Sequence, residues 1–485
     1  MSTQKPVSTQ RSDSIKKSEQ HPYSKSFSKT AKTQKKKKSA PNNESPLRQF
    51  NKTFCHPRMT TNECESAILR HYVDKNEAIA KVTEVQEKDV KRMTKLLEDY
   101  LRKARLVCYG GTAINNILPP AAQFYDHDLD TPDYDFYSPT PIDSAKEVAD
   151  MYFKAGFTEV EAKSGTHRGT MKVFVNFIGI ADITLLDPLL FETVQKDAIA
   201  VDGILYAPPD FLRMNAYIEM SRPLGDVSRW EKVNKRLNLL NQFYPMKRAN
   251  TSKVQTIKQE KQTIKEETVE DALNIVRDVC IKEGAVFFGG YAASFYARYM
   301  PPSVKQAIYN EEPDFDAIHV DPEKVVKQIK AQLKKQGITN ITIRTNPPVG
   351  EVLPVSYTVL QKGQSITSIY GTTACYNFNR IQIGRHTVRV ATTDTALYFL
   401  LALFYTRNDA LEKARILSLA HKIWTLQIKT KLLQKDILKR FNSSCEGNQM
   451  TLGDIKSEKS RIFQKYKGKE KDAEYELHMF KYIPT

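Results

Sequence analysis

The hydrophobic pattern of this chain occurs twice. In each occurrence an amphipathic helical stretch leads into a short apolar run that ends in two glycines, first as VKRMTKLLEDYL and LVCYGGTAIN, later as VEDALNIVRDVC and AVFFGGYAAS. Apolar residues that recur every three or four positions predict a helix, and an apolar run before a glycine turn predicts a buried strand. A second predicted strand, in which two aspartates alternate with apolar residues, follows each glycine pair.

The two occurrences are related by a nearly constant spacing. The offset is 179 residues between Gly110 and Gly289, and it has grown only to 185 residues between Arg222 and Arg407. Such a small drift over about a hundred residues indicates an internal duplication. Each copy is predicted to be an α/β (α+β) domain with a mixed sheet flanked by helices.

Polar stretches set the predicted domain boundaries. Residues 1–50 contain 12 Lys or Arg and 3 Asp or Glu, a net charge of +9. A segment so poor in apolar residues predicts a disordered basic tail. The first copy is assigned to residues 51–248, a linker to residues 249–268, and the second copy, with a basic helical C-terminal region, to residues 269–485.

Composition narrows the class of protein. The formal net charge of +17 points to a polyanionic partner, of which nucleic acid is the usual one. No apolar stretch approaches the roughly 20 residues that a membrane-spanning helix needs, so no membrane association is expected. Six scattered cysteines are too few for a disulfide framework, and we expect them to be reduced.

Three aspartates of the first copy are candidates for metal ligands. Asp133 and Asp135 alternate with aromatic residues in PDYDFYS, so both carboxylates are expected on one face of a strand, about 7 Å apart. Paired carboxylates repel each other unless cations lie between them, and two Mg²⁺ or Mn²⁺ ions are the expected occupants. Asp182, the one acid in the apolar run VFVNFIGIADITLL, is predicted to supply the third carboxylate.

The glycine turn of the first copy is a candidate phosphate site. Gly110 and Gly111 let the backbone approach a ligand closely, the helix that follows offers free N–H groups, and Thr112 adds a hydroxyl. A glycine pair or an Asp-x-Asp pair alone is weak support. Their order, with an isolated strand aspartate afterwards, is much more specific.

Further nucleotide contacts are predicted on the helices that follow. Lys232 and Arg236 are four residues apart, on one helical face, and are candidates for binding a triphosphate. A solvated basic face is the alternative. Tyr217 and Ser221, on the preceding helix, are candidates for contacts with the ribose or the base.

These motifs resemble a known family. The order of glycine pair, Asp-x-Asp and strand Asp is similar to that of the polymerase-β nucleotidyltransferase superfamily. The duplication, with YGGTAINNILP, TPDYDFYS and SRWEKVNKRL, resembles the poly(A) polymerase catalytic subunit of large nucleocytoplasmic (giant) DNA viruses, over roughly residues 60–430. The resemblance assigns the three catalytic carboxylates to Asp133, Asp135 and Asp182.

The resemblance also implies a reaction and a setting. Two metal ions would catalyse the transfer of AMP from ATP to an RNA 3′ end, as in polyadenylation of mRNA. A homodimer is implied for the giant-virus members, and the cytoplasm of the infected host cell, or the virion, for the location. The second copy keeps Asp314 and Asp316 but has no acid between Val352 and Thr393, so it is expected to be catalytically inactive.

Two other classes of function stay open at this point. One is another nucleotidyltransferase, of the CCA-adding, oligoadenylate-forming or aminoglycoside-modifying kind. The other is a non-catalytic RNA-binding subunit, which the complete set of acids in the first copy argues against.

Overall fold

The computed structural model describes most of the chain outside its N-terminal region. It covers residues 54–56, 58–86, 88–125, 133–247, 266–309, 314–430, 434–468 and 472–485. The predicted basic tail and most of the predicted linker lie outside these ranges. The chain forms two compact units, one ending at Asp74 and one beginning at Lys75.

The first unit holds the start of helix α1 (Thr61–Gln86). The backbone N–H of Thr60 donates to Glu63, and the Glu63 N–H donates back to the Thr60 hydroxyl, which fixes where the helix begins. Cys55 and Cys64 form a disulfide beside this turn.

Helices and strands alternate through the first copy. Its helices are α2 (Lys88–Ala104), α3 (Gly110–Ile117), α4 (Pro141–Lys154), α5 (Pro188–Lys196), α6 (Pro209–Met220) and α7 (Trp230–Phe243). Its strands are β1 (Val107–Tyr109), β2 (Tyr134–Ser138), β3 (Val160–Ser164), β4 (Thr170–Val175), β5 (Ile178–Leu185), β6 (Ile199–Val201) and β7 (Ile204–Tyr206).

The second copy continues in the same way. Its helices are α8 (Glu266–Glu283), α9 (Gly290–Tyr296), α10 (Pro302–Tyr309), α11 (Pro322–Lys335), α12 (Thr393–Thr406), α13 (Ala410–Lys429), α14 (Leu452–Lys465) and α15 (Ala473–Met479). Its strands are β8 (Val286–Phe287), β9 (Ala317–Ile318), β10 (Ile341–Asn346), β11 (Ser356–Gln361), β12 (Gln364–Tyr370), β13 (Tyr376–Ile383), β14 (His386–Ala391) and β15 (Cys445–Glu446), followed by β16 (Lys481–Tyr482).

The strand order confirms the duplication. The described residues form two sheets of eight strands, ordered β16-β3-β4-β5-β2-β1-β7-β6 and β10-β11-β12-β9-β8-β14-β13-β15. Seven strands correspond one to one, since β3-β4-β5-β2-β1-β7-β6 is matched by β10-β11-β12-β9-β8-β14-β13. Directions agree as well, because β2 is parallel to β5 and antiparallel to β1, and β9 relates to β12 and β8 in the same way.

The eighth strand of each sheet breaks this correspondence. In the second sheet β15 pairs with β13, whereas in the first sheet β16 pairs with β3. Residues 481–482, which the sequence assigned to the second domain, therefore complete the first sheet.

The pattern of apolar residues in a helix determines whether one face or the whole surface of that helix is buried. In α2 the buried residues Val90, Met93, Leu97 and Leu101 recur every three or four positions, so that one stripe packs on the first sheet. Helix α12 is apolar all round and lies between other elements, chiefly α6 and α13. The longest apolar run of the sequence is thus the interior of the junction between the copies. The described helices include none that has both the length and the hydropathy to span a membrane.

The expectation of reduced cysteines is wrong at four positions. Cys375 and Cys445 form a second disulfide, because antiparallel pairing of β13 with β15 brings their Cα atoms within 5.2 Å despite a separation of 70 residues. Long-range strand pairing of this kind leaves no mark in the spacing of cysteines. Cys108 and Cys280 are buried and unbonded.

Candidate functional site

The acids of the first copy meet through strand register. Tyr109 of β1 lies opposite Asp135 of β2, and Asp135 lies opposite Asp182 of β5. Opposed residues of adjacent strands project from the same face of a sheet. Asp133, directly before β2, is exposed, while Asp135 is partly buried. The structure therefore brings together the three carboxylates predicted from the sequence.

Their proximity changes their acidity. Burial, reinforced by the charges of Asp133 and Asp182, raises the pKa of Asp135 to about 7. Although Asp133 as a whole residue is exposed, partial loss of water around its carboxylate and the charge of Asp182 raise its pKa, against the opposing charges of Lys172, Lys232 and Arg236. Such repulsion is what a bound cation relieves, so the donor set suits hard divalent ions.

A lysine supplies one positive charge within the protein. The Lys172 ammonium is ion-paired with Asp182, since β4 places Lys172 directly opposite that aspartate. In the described residues no three acidic, His or Cys side chains converge tightly enough to hold one ion as they stand. The Lys172 ammonium thus occupies Oδ2 of Asp182, and a cation bound at that oxygen would replace it.

The glycine turn connects β1 to α3 and lies against the acids. Gly110 has φ of +75°, and a side chain there would collide with the Asp135 carboxylate. At Gly111 a Cβ would lie 2.6 Å from Nη2 of Arg236. Gly110 is therefore required by its backbone conformation and by the nearby carboxylate, whereas a side chain at Gly111 would displace the end of Arg236. The α3 N-terminus has no side-chain cap from Tyr109.

Thr112 has a different position from the one expected. It is buried, and its hydroxyl donates to the backbone carbonyl of Asp133 at 2.6 Å. Thr112 therefore anchors the residue before β2, and its proton is committed to that bond.

Arg236 and Lys232 lie at the site, as the helical spacing predicts. The Arg236 guanidinium sits 5.3 Å from the ring centre of Phe124 and donates to the Tyr125 hydroxyl at 2.6 Å. The charge of Lys232 acts on the pKa of Asp133. Arg236 thus lies beside the glycine turn, and Lys232 lies near enough for its charge to act on Asp133.

Tyr217 and Ser221 do not lie at the site. Tyr217 is fully buried and its hydroxyl donates to Gln427 Oε1 at 2.8 Å. Ser221 is also fully buried, and its carbonyl accepts from the backbone N–H of Asn377 at 2.8 Å. The prediction of nucleotide contacts is corrected for these two residues. They join the copies, because Tyr217 contacts α13 and Ser221 contacts β13, both of which belong to the second copy.

Sequence reasoning missed two further cations. Lys172 alternates with buried residues in TMKVFV, ten positions before Asp182, and a hairpin between the two strands would have predicted their pairing. Arg229 directly precedes α7, and its charge lowers the pKa of Asp135 against the effect of burial. No sequence pattern around Arg229 predicts that it lies near Asp135.

The corresponding place in the second copy is filled by protein groups. Arg415 binds Asp314 at 2.5 Å, and Asp314 also accepts the backbone N–H of Gly290. Burial and the charge of Asp314 raise the pKa of Asp316 to about 7, and Asp316 accepts the Ser368 N–H at 3.0 Å.

Strand register identifies what replaced the third acid. Asp316 lies one residue before Ala317, which pairs with Ile369 of β12, so Ser368 takes the place that Asp182 has in the first copy. Thr358 lies opposite Ser368, as Lys172 lies opposite Asp182. The third carboxylate and its lysine are thus replaced together by two hydroxyls, which are 2.9 Å apart.

Comparison with known proteins agrees with the motifs. Residues 95–226 match the family model of the poly(A) polymerase catalytic subunit. A protein of African swine fever virus (isolate Tick/Malawi/Lil 20-1/1983), named "Putative poly(A) polymerase catalytic subunit", is 26% identical over 180 residues, which are 36% of this chain and 38% of that protein. A protein of the same name from Acanthamoeba polyphaga mimivirus is 28% identical over 234 residues, which are 47% of this chain and 39% of that protein.

A solved structure extends the likeness to the fold. The Megavirus polyadenylate synthase superposes with a TM-score of 0.70 at 21% identity, covering 89% of this chain and 87% of that one. The family resemblance predicted from the motifs is confirmed for residues 95–226, which contain the glycine turn and all three acids. The chain aligns with less than two-fifths of the length of the two viral relatives.

Proposed function

We propose that this protein is a template-independent nucleotidyltransferase that adds AMP from ATP to RNA 3′ ends. The observation that carries the proposal is the register that sets Asp135 opposite Asp182 beside the Gly110–Gly111 turn. It lies within the segment that matches the poly(A) polymerase catalytic subunit model. Both substrates are polyanions, which agrees with the net charge of +17.

Asp133, Asp135 and Asp182 would hold two Mg²⁺ or Mn²⁺ ions. When bound, such ions lower the pKa of an attacking hydroxyl and neutralise a leaving pyrophosphate. The nearness of the three carboxylates, whose charges add to burial in raising the pKa of Asp135, supports this assignment, because a cation is the natural counter-charge for them.

The protein itself orients ATP. The α3 N-terminus, which has no side-chain cap from Tyr109, offers backbone N–H groups to phosphate oxygens beside the glycine turn. Arg236 is held in place by Phe124 and Tyr125, so it can meet the triphosphate without losing much side-chain freedom. Lys232, one helical turn earlier, adds a second positive charge on the same side.

The RNA 3′-hydroxyl would approach from the side of Asp182. In the absence of substrate and ions, Lys172 neutralises the negative charge of that carboxylate. The second copy, where Arg415 takes up the charge of Asp314, is proposed to be structural. On the basis of the family resemblance, the protein is also proposed to be a homodimer that acts in the cytoplasm of an infected cell or is carried in the virion.

One assay separates this function from its alternatives. The protein is incubated with a labelled RNA primer, each NTP separately, and Mg²⁺ or Mn²⁺. Long tails made from ATP alone support the proposal. Addition of only two nucleotides from CTP would identify a CCA-adding enzyme, products formed from ATP when the primer is left out an oligoadenylate synthase, and primer binding with no addition a binding subunit.

A further inference from the structure

A row of lysines crosses the first sheet in register with the carboxylates. Asp135 lies opposite Asp182, and Asp182 lies opposite Lys172. Lys172 in turn lies opposite Lys163 of β3, and Lys163 opposite Lys481 of β16. Since adjacent strands are about 4.8 Å apart, the row extends about 19 Å from Asp135 to the sheet edge.

The row has more positive charge than the protein neutralises. The side chains of Lys172, Lys163 and Lys481 are 38%, 45% and 63% exposed. Lys172 is paired with Asp182, whereas Glu161 is shared between Lys163, at 2.6 Å, and Lys481, at 3.1 Å. Like charges on directly opposed strand positions destabilise a sheet, so this arrangement calls for an anionic partner.

Aromatic side chains accompany the row. The Phe174 ring, partly exposed on the same face, lies 4.5 Å from the Lys163 ammonium. At the tip of the β4–β5 hairpin Phe177 is 85% exposed, with φ of +66°. Aromatic rings next to cations are the combination that binds single-stranded nucleic acid, through base stacking and phosphate contacts.

The two sides of the carboxylates are chemically distinct. Strand β1, with the glycine turn and Arg236, lies on one side of β2, and β5, β4, β3 and β16 lie on the other. One polyanion can therefore reach the acids over the glycine turn while a second reaches them along the lysines.

We propose that Lys172, Lys163 and Lys481 bind the backbone phosphates of the single-stranded RNA primer. Its 3′ end lies at Asp182 and its preceding bases stack on Phe174. This inference rests on the proposed function, and it assigns the primer and ATP to opposite sides of Asp135.

The test compares charge removal on and off the row. The double variant Lys163→Ala/Lys481→Ala is matched with Lys154→Ala/Lys196→Ala, which removes the same charge from exposed positions on α4 and α5. Affinity for an RNA with a 3′-deoxy end is titrated between roughly 0.1 and 1 M salt. Each phosphate that the protein neutralises on a single strand adds roughly 0.7 to the slope of log K against log salt. We therefore expect the row variant to bind about 25-fold more weakly at about 0.1 M salt, with a slope flatter by about 1.4.

A variant of opposite sign guards against loss of folding. Glu161→Gln removes the acid that Lys163 and Lys481 share, so it should tighten RNA binding by up to about fivefold at about 0.1 M salt. A damaged fold would not produce a gain. Lys163→Arg/Lys481→Arg should retain wild-type affinity, because the charge is kept.

The outcomes distinguish this inference from the function on which it rests. Row and control variants with equal RNA affinity, or a row variant whose KM rises for ATP and not for primer, would overturn the inference while wild-type tailing continued. A wild-type protein that binds the 3′-deoxy RNA along the row but adds no nucleotide to a normal primer would refute the function and leave the row in place.

Discussion

Asp135 is the residue at which stability and the proposed chemistry oppose each other. Burial, with the charges of Asp133 and Asp182, raises its pKa to about 7. In the unfolded chain an aspartate has a pKa of about 3.9, so between these values the folded protein binds more protons than the unfolded one. The free energy of unfolding must then fall as pH rises through this range.

The corresponding prediction concerns protein without divalent ions. From about pH 4 to about pH 8 the contribution of Asp135 to stability should fall by at most about 4 kcal/mol, since one pKa unit corresponds to about 1.4 kcal/mol. Asp135→Asn should abolish the fall in the free energy of unfolding that Asp135 causes. Asp316→Asn should likewise abolish the fall that Asp316 causes, because the pKa of Asp316 is also raised to about 7. Urea unfolding at several pH values measures the difference. If the free energy of unfolding of Asp135→Asn fell between these pH values as much as that of the wild type, the result would contradict the placement of Asp135.

Substitution of the carboxylates tests the reaction itself. Asp133→Asn, Asp135→Asn or Asp182→Asn should each lower the rate of AMP addition by well over about a hundredfold, since even outer-shell partners of a metal typically matter roughly 10- to 100-fold. RNA affinity should not fall, because these acids are proposed to bind cations and not RNA, and Asp182→Asn should raise it by up to about fivefold because Lys172 loses its carboxylate partner. Rates at saturating primer and separate binding curves are compared. Near-normal tailing by any one variant would refute the assignment.

At the scale of elements, the two sheets have one topology and different chemistry. Ser368 and Thr358 occupy the places of Asp182 and Lys172, and Arg415 binds Asp314. We expect Asp314→Asn/Asp316→Asn to add AMP at nearly the wild-type rate. A fall in rate comparable to that of the first-copy variants would show that the second site takes part in the reaction.

The ion pair of the second copy gives a separate stability prediction. Arg415→Ala leaves Asp314 beside Asp316 without its cation, so the Tm should fall. Adding Asp314→Asn to that variant should recover part of the loss, because the carboxylate that needed the cation is gone. Thermal unfolding of the two single variants and the double variant measures this coupling. Strictly additive effects would contradict a direct interaction.

Local patterns predicted the elements better than their partners. The glycine turn, the alternation around Asp135 and the spacing of Lys232 and Arg236 are set by neighbours in the chain, and the structure places them as expected. The burial of Tyr217 depends on α12 and α13, almost two hundred residues away, and the pairing of Cys375 with Cys445 depends on β15. A short stretch of sequence around Tyr217 or Cys375 does not include the distant elements that these residues contact.

The Cys375–Cys445 disulfide has a measurable consequence for the second copy. Closing a loop across 70 residues removes entropy from the unfolded chain worth about 4 kcal/mol in the simplest model. Cys445→Ser should lower the free energy of unfolding by about 2–4 kcal/mol under non-reducing conditions. With a strong reductant, the variant and wild type should unfold at nearly the same denaturant concentration. A difference that persists after reduction would mean that the serine acts by altered packing.

At the scale of the whole molecule, positive charge is unevenly distributed along the chain. Residues 1–50 carry +9 of the net +17 and lie outside the described residues. If they are an RNA-binding arm, their deletion should weaken RNA binding and flatten its salt dependence by roughly 0.7 for each phosphate that the arm neutralises. The rate at saturating RNA should hardly change, because every proposed catalytic group lies beyond the first copy's initial helices, from Gly110 onward. An unchanged salt slope would show that the segment does not bind RNA.

The strand β16 closes the first sheet from the far end of the chain. Lys163 and Lys481 are neighbours in that sheet but 318 residues apart in sequence. At roughly 5–20 residues per second, a ribosome needs roughly 15 to 60 seconds to proceed from one to the other. For most of that interval Asp135 and Asp182 have already been synthesised, whereas the strand that pairs with the edge of β3 has not. The last lysine of the row is thus synthesised after every other described strand of both sheets, so prematurely terminated chains have the three acids but an incomplete lysine row.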